Sequence, residues 1–155
     1  TVRSSGDSFQ TPVELSPHDA SNLSAAVGPD GKGHLVAKFY GGYTSGYNLA
    51  HWTLSANGSW SDVETIGAGK VGMLAFAPGG EPVIASQDDD GLVIIQKKGS
   101  QWIPAAHLSW DDGGLGNPGV AVDDYGRYHV SISLTGAAAG ERGVNYVMLC
   151  PDLAP

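Results

Sequence analysis

The chain has 155 residues, 41% of them hydrophobic and 15% charged, with Gly 23 and Pro 9. That length and balance support one folded core and exclude a disordered tail, and no apolar run approaches the ~18 residues of a membrane span. A net charge of −8, with eight Lys and Arg scattered along the chain, leaves no basic stripe for phosphates and excludes nucleic acid as a partner.

The opening Thr1-Val2-Arg3-Ser4 has no apolar signal core, so any secretion signal is expected to be already removed. Gly6-Asp7 is a turn, and Phe9–Leu15 reads as a short strand that starts on an aromatic and closes on an aliphatic. After a loop with His18 and Asp19, the apolar stretch Ala25-Ala26-Val27 runs into the turn Gly28-Pro29-Asp30-Gly31. A second strand, His34-Leu35-Val36-Ala37, follows. The loop from Tyr40 to Asn48 leads to a third, Leu49–Leu54, and Asn57-Gly58 turns the chain into a fourth, Trp60–Ile66.

The cycle then repeats. Ala75-Phe76-Ala77-Pro78-Gly79-Gly80 leads into Val83-Ile84-Ala85, then Leu92–Ile95, the turn Gly99-Ser100, and Trp102–Leu108. The third round is Ala121-Val122-Asp123-Asp124-Tyr125-Gly126, His129–Ile132 and Val144–Leu149. The turn glycines Gly31, Gly80 and Gly126 recur at intervals of 49 and 46 residues. No stretch shows sustained helical spacing.

Four antiparallel strands per repeat of this length predict an all-β fold, a β-propeller of three four-stranded blades. The blades fall at about 21–66, 71–108 and 117–150, with an outer strand at 8–15, in a single unit over 1–155. Small residues (Ala25, Ala26, Ala75, Gly119, Ala121) suit an innermost strand crowded near an axis, and aromatics suit the outer rim. A β-sandwich is the competing arrangement. The third blade lacks its outer strand, and the N-terminal strand is in phase to complete a terminal blade. Three blades do not ring an axis. The expectation is therefore a homodimer of six blades, or a partner fragment completing a larger propeller; the matched phase of the ends favours the dimer.

In a propeller the loops between second and third strands share one face with the connections between blades. Residues able to bind a ligand gather there: Tyr40, Tyr43, Tyr47 and Asn48; Asp88 and Asp90; Trp110, Asp111 and Asp112; and Arg142. The aromatics can stack on sugar rings, and the carboxylates and amide can accept hydrogen bonds from sugar hydroxyls. The bland reading is that the tyrosines pack their loop while the aspartates cap turns. The run Asp88-Asp89-Asp90-Gly91 invites Ca²⁺, but it lacks EF-hand spacing and a solvated turn is the simpler expectation, so no cofactor is predicted.

The repeat assigns other polar residues to structure. His34 and His129 occupy one place in the repeat where Val83 stands in the second, which marks a structural strand position. His51 and His107 have no sequence neighbour that suggests chemistry, and His18 beside Asp19 is the best acid–base candidate. Gly114-Leu115-Gly116-Asn117-Pro118-Gly119 matches a dinucleotide fingerprint but is followed by a strand, so a turn is expected. A lone cysteine, Cys150, excludes an internal disulfide and is expected to be a buried thiol.

Asp30-Gly31-Lys32-Gly33-His34-Leu35-Val36, Tyr125-Gly126-Arg127-Tyr128-His129-Val130 and the closing Asn57-Gly58-Ser59-Trp60 resemble the secreted bacterial BNR-like, sialidase-fold propellers. The resemblance covers nearly the whole chain and implies a secreted, extracellular or periplasmic protein. It departs from the family at the Asp-box, where Ser55-Ala56-Asn57-Gly58-Ser59-Trp60 is shorter and carries Asn, and in having only Arg3, Arg127 and Arg142 for a carboxylate-binding arginine trio. Sialidase activity is therefore not expected. The functional expectation is a non-catalytic, lectin-like binder of a glycan or polysaccharide. Its rivals are part of a propeller glycoside hydrolase or polysaccharide lyase, and a protein-binding adhesion or scaffold module.

Overall fold

In the computed structural model the described residues are 4–5, 8–9, 14–15, 20–40, 46–70, 72–109, 114–135 and 143–151. Among them the regular structure is entirely β. β1 (Ser4–Ser5) and β2 (Ser8–Phe9) pair as a small hairpin. A first sheet runs in chain order through β3 (Ala20–Val27), β4 (Gly33–Tyr40), β5 (Tyr47–Leu54) and β6 (Glu64–Ala68). A second does the same through β7 (Gly72–Phe76), β8 (Pro82–Gln87), β9 (Gly91–Lys98) and β10 (Gln101–Ser109). The third holds β11 (Gly114–Leu115), β12 (Gly119–Val122), β13 (Tyr128–Thr135) and β14 (Gly143–Leu149). Among the described residues all pairings are antiparallel, and no sheet closes on itself.

The first hairpin of each sheet is built by one local device. The N–H groups of Gly31, Gly80 and Gly126 donate to the carbonyls of Gly28, Ala77 and Asp123, at 2.9, 2.8 and 2.9 Å. The three glycines take φ of 75°, 92° and 79°. This is a type I turn closed by a left-handed residue, the common three-residue hairpin loop. An added Cβ at Gly31 meets nothing within 4 Å, so only backbone strain opposes a side chain there. Gly31→Ala should cost about 1–2 kcal/mol. Gly143→Ala, in a strand without positive φ and with equally open space, should be neutral or slightly stabilising. Paired urea titrations of the two variants check this.

The first and second sheets each bury one face on the next. Val36 and Leu49 of the first sheet meet Ile84 of the second, with Ile66, Leu74 and Trp102 packed around them. Val83, Ala85, Leu92 and Ile94, from the other face of the second sheet, meet Tyr128, Val130 and Ile132 of the third. The first strands lie closest together, β3 beside β7 and β7 beside β12. Small residues make that approach possible: a Cβ on Gly72 would stand 2.7 Å from Val36 Cγ1.

Four sequence expectations change. The outer strand of the first sheet lies at Glu64–Ala68 and not at Trp60–Ile66; Trp60 makes only an isolated bridge to Leu54. Ser61 takes up the edge there, its Oγ accepting from the Thr53 N–H, which delays regular pairing. The third sheet counts four strands only because its inner strand is split into β11 and β12, both on one edge of β13. Pro118, with no N–H to give, sits in the break. Third, Ser8–Phe9 pairs with Ser4–Ser5, and among the described residues β14 has no partner on its outer edge. Finally, Cys150 is exposed just beyond β14, a strand that among the described residues has no partner on its outer edge.

Candidate functional site

Tyr40 and Tyr47 close the β4–β5 ladder as directly opposed residues, which brings their rings edge to face at 5.4 Å between centroids. They are 63% and 47% exposed, so this pair is displayed and not used as packing. Lys38 Nζ lies 4.3 Å from the Tyr47 ring centroid, a cation–π contact that steadies the ring. Asn48, next in sequence, is buried.

The connection from the first to the second sheet sets the acidic turn beside this pair. Gly69 N–H donates to the Tyr47 carbonyl at 3.1 Å, and Lys70 N–H donates to the Gln87 carbonyl at 3.0 Å. Two successive donors thus tie the root of the tyrosine pair to the start of Asp88-Asp89-Asp90. Asp88 Oδ1 accepts from the N–H groups of Asp90 and Gly91 at 2.9 and 2.8 Å, capping the turn, while its Oδ2 lies 3.5 Å from His107 Nε2. Asp89 pairs with Lys70 at 2.7 Å, which holds its carboxyl below the usual range. Asp90 is exposed. The three carboxylates therefore do not converge. Among the described residues no group of three His, Cys, Asp or Glu is placed to hold a metal ion. Gln87 Nε2 donates to the Gly116 carbonyl, linking this rim to the third sheet. Tyr43, Trp110, Asp111, Asp112, Arg142 and His18 lie outside the described residues.

A second constellation, unmarked in the sequence, sits between the first two sheets at their opposite end. Lys97 Nζ is 2.8 Å from Glu64 Oε2, which also lies 2.9 Å from His51 Nδ1. His51 Nε2 lies 2.9 Å from His34 Nδ1. Since the ionised Glu64 can only accept, a neutral His51 donates from Nδ1 and therefore accepts, at Nε2, a hydrogen bond from His34 Nδ1–H. That leaves His34 Nε2 buried as a bare acceptor, 3.6 Å from Asp30 Oδ1 and without a hydrogen bond. Burial pushes both imidazoles below their ordinary pKa, against the opposing pull of Asp30 on His34 and of Glu64 on His51. Burial raises the Glu64 carboxyl, but hydrogen bonds from Lys97 and His51 outweigh it and hold the group below its ordinary value. Trp102 and Phe76 close the cluster edge-on, at 5.2 and 5.0 Å from His51 and His34. With His51 only 2% exposed, this relay joins the first two sheets, and its outer members Glu64 and Lys97 are partly exposed.

The third sheet repeats the pattern in the open. His129 Nδ1 is 2.6 Å from the Tyr146 hydroxyl, and its Nε2 is 3.0 Å from Asp123 Oδ2, which also accepts from Arg127 Nε at 2.6 Å. Desolvation raises the Asp123 carboxyl, but His129, Arg127 and the Tyr125 N–H hold it well below the usual carboxylate range. His34 to His51 and His129 to Tyr146 are both 17 residues apart, and in both pairs the partner lies diagonally across the ladder. Comparing those separations between repeats is the sequence signal that reveals the relay. No family model and no curated protein matches this chain.

Proposed function

We propose that the chain supplies three blades of a β-propeller, and that the rim carrying Tyr40, Tyr47 and the Asp88–Asp90 turn binds a saccharide without transforming it. The observation that carries this reading is the tyrosine pair, exposed at a sheet end and in contact with Lys38, on the same rim as the exposed Asp90. Rigid aromatic surface with nearby acceptors suits a pyranose ring, whose faces are apolar and whose hydroxyls lie at the edge. Three sheets in series with their first strands adjacent support the blade arrangement. A secreted or periplasmic location, with glycan as the partner, belongs to the same proposal, and the site needs no metal.

Glycan-array screening followed by titration calorimetry tests it. Tyr47→Ala should weaken binding of the best saccharide about tenfold, the loss of roughly 1–1.5 kcal/mol of stacking. A chelator should leave the affinity unchanged. Absence of saccharide binding by the folded protein sinks the proposal.

A further inference from the structure

The third sheet leaves open the face that its two predecessors bury. Val144, Tyr146 and Met148 on β14 are 80%, 64% and 46% exposed. By register, Leu49 and His51 take the places of Val144 and Tyr146 in the first sheet, and Leu92 and Ile94 take them in the second. All four are buried against the following sheet. The His129–Tyr146 pair is thus the counterpart of a pair that elsewhere lies inside a sheet-to-sheet contact.

The other end of the molecule offers the matching half. Leu15 packs against Ala37, Ala50 and Trp52, on the face of the first sheet that points away from the second. Ile66 lies in the corresponding place on the second sheet, and Leu108 on the third. Ile66 and Leu108 close the outer strand of the preceding sheet. Leu15 therefore sits where the closing residue of a preceding sheet's outer strand would lie. Among the described residues it is β14 that lacks such a strand. Three sheets do not close a ring, whereas six do.

We propose that a second copy of this chain docks on the third sheet. Ser8–Phe9 of one copy pair with the end of β14 of the other, replacing the two-residue β1, and Val144, Tyr146 and Met148 pack on the other copy's first sheet near Leu15, Leu35 and Phe39. The exchange is reciprocal, as twofold symmetry requires, and it removes two open sheet edges. The proposal shares the blade arrangement with the saccharide reading but not the rim, and solution mass and saccharide titration report on the two separately.

Light scattering on the eluting protein should give twice the 16.0 kDa chain mass. Val144→Asp combined with Tyr146→Lys, both at exposed positions, should give the single-chain mass with an unchanged circular dichroism spectrum. A wild-type protein that stays at single-chain mass from micromolar to near-millimolar concentration overturns the proposal, as does a dimer indifferent to the two charges. A cross-link checks the strand pairing. Repeat alignment sets position 8 opposite Cys150, as Gln101 stands opposite Lys98. Mild oxidation of Ser8→Cys should yield a covalent dimer, and Ser8→Cys with Cys150→Ser should not. An intramolecular disulfide would mean that the chain closes on itself, and a dimer without the cross-link would refute the pairing; either result defeats the proposal.

Discussion

Ile84→Ala should lower the unfolding free energy by about 2–5 kcal/mol, the range for truncating a fully buried aliphatic to alanine. Ile84 is 0% exposed and is the residue of the second sheet that enters the cluster of Val36 and Leu49. Its side chain touches both sheets, so the space it vacates cannot be refilled by one of them relaxing alone. Neighbours converge from β6, β7 and β10, which are held by their own ladders. The effect should appear as a lower urea midpoint with little change in slope. Val63→Ala, at a 57% exposed site, is the control and should stay within about 0.5 kcal/mol. An Ile84→Ala midpoint no lower than the control's would contradict sheet-on-sheet packing at this place.

Stability should fall as pH drops from 7 to 5, because the sheet-to-sheet relay keeps two imidazoles neutral. His34 and His51 have pKa values pushed below the ordinary 6.5 by burial. On acidification the unfolded chain takes up protons near 6.5 while the folded chain resists, so the unfolded state gains. The loss begins as pH falls through the unfolded value and levels off below the folded one. Glu64 acts in the same direction lower down: its depressed pKa contributes stability above its unfolded value, which is lost as pH falls through the folded value. Each proton excluded from the folded state sets a slope of about 1.4 kcal/mol per pH unit. The site that finally accepts the proton is His34 Nε2, which faces Asp30, with Lys32 and Lys97 nearby as opposing charges.

The second sheet shows how to remove this sensitivity. Val83 and Ile94 stand in the places of His34 and His51 and pack without polar groups. His34→Val combined with His51→Ile should flatten the stability profile between pH 7 and 5, while Glu64 keeps Lys97 as its partner. Urea titrations of both proteins at pH 7, 6 and 5 measure the difference. Parallel profiles would show that the acid response arises elsewhere.

Much of the architecture was legible in the chain itself. The three turns with Gly31, Gly80 and Gly126 announce themselves because a left-handed residue after two turn residues is a demand on a single position. The strands that flank them were placed to within a few residues for the same reason. The first outer strand was misjudged because Trp60, a good strand residue, is held by one bridge while Ser61 occupies the edge. Of the rim, the direct opposition of Tyr40 and Tyr47 follows from the register of β4 and β5. The burial of Asn48 and the divergence of Asp88, Asp89 and Asp90 do not follow, since they depend on neighbours from other elements.

The relay marks the boundary most sharply. His51 looked isolated because its partners are 17 residues before it and 13 after it, and Lys97 reaches Glu64 across 33 residues. Nothing local links such positions. By itself the sequence determined the strands, their turns and their repeat, because alternation and positive φ act within a few residues. Only the tertiary structure decided which strand face meets the next sheet, and so which polar residues share a buried site and which face is left open. Those outcomes come from how whole sheets pack, where close approach selects partners by shape and hydrogen-bonding need rather than by nearness along the chain.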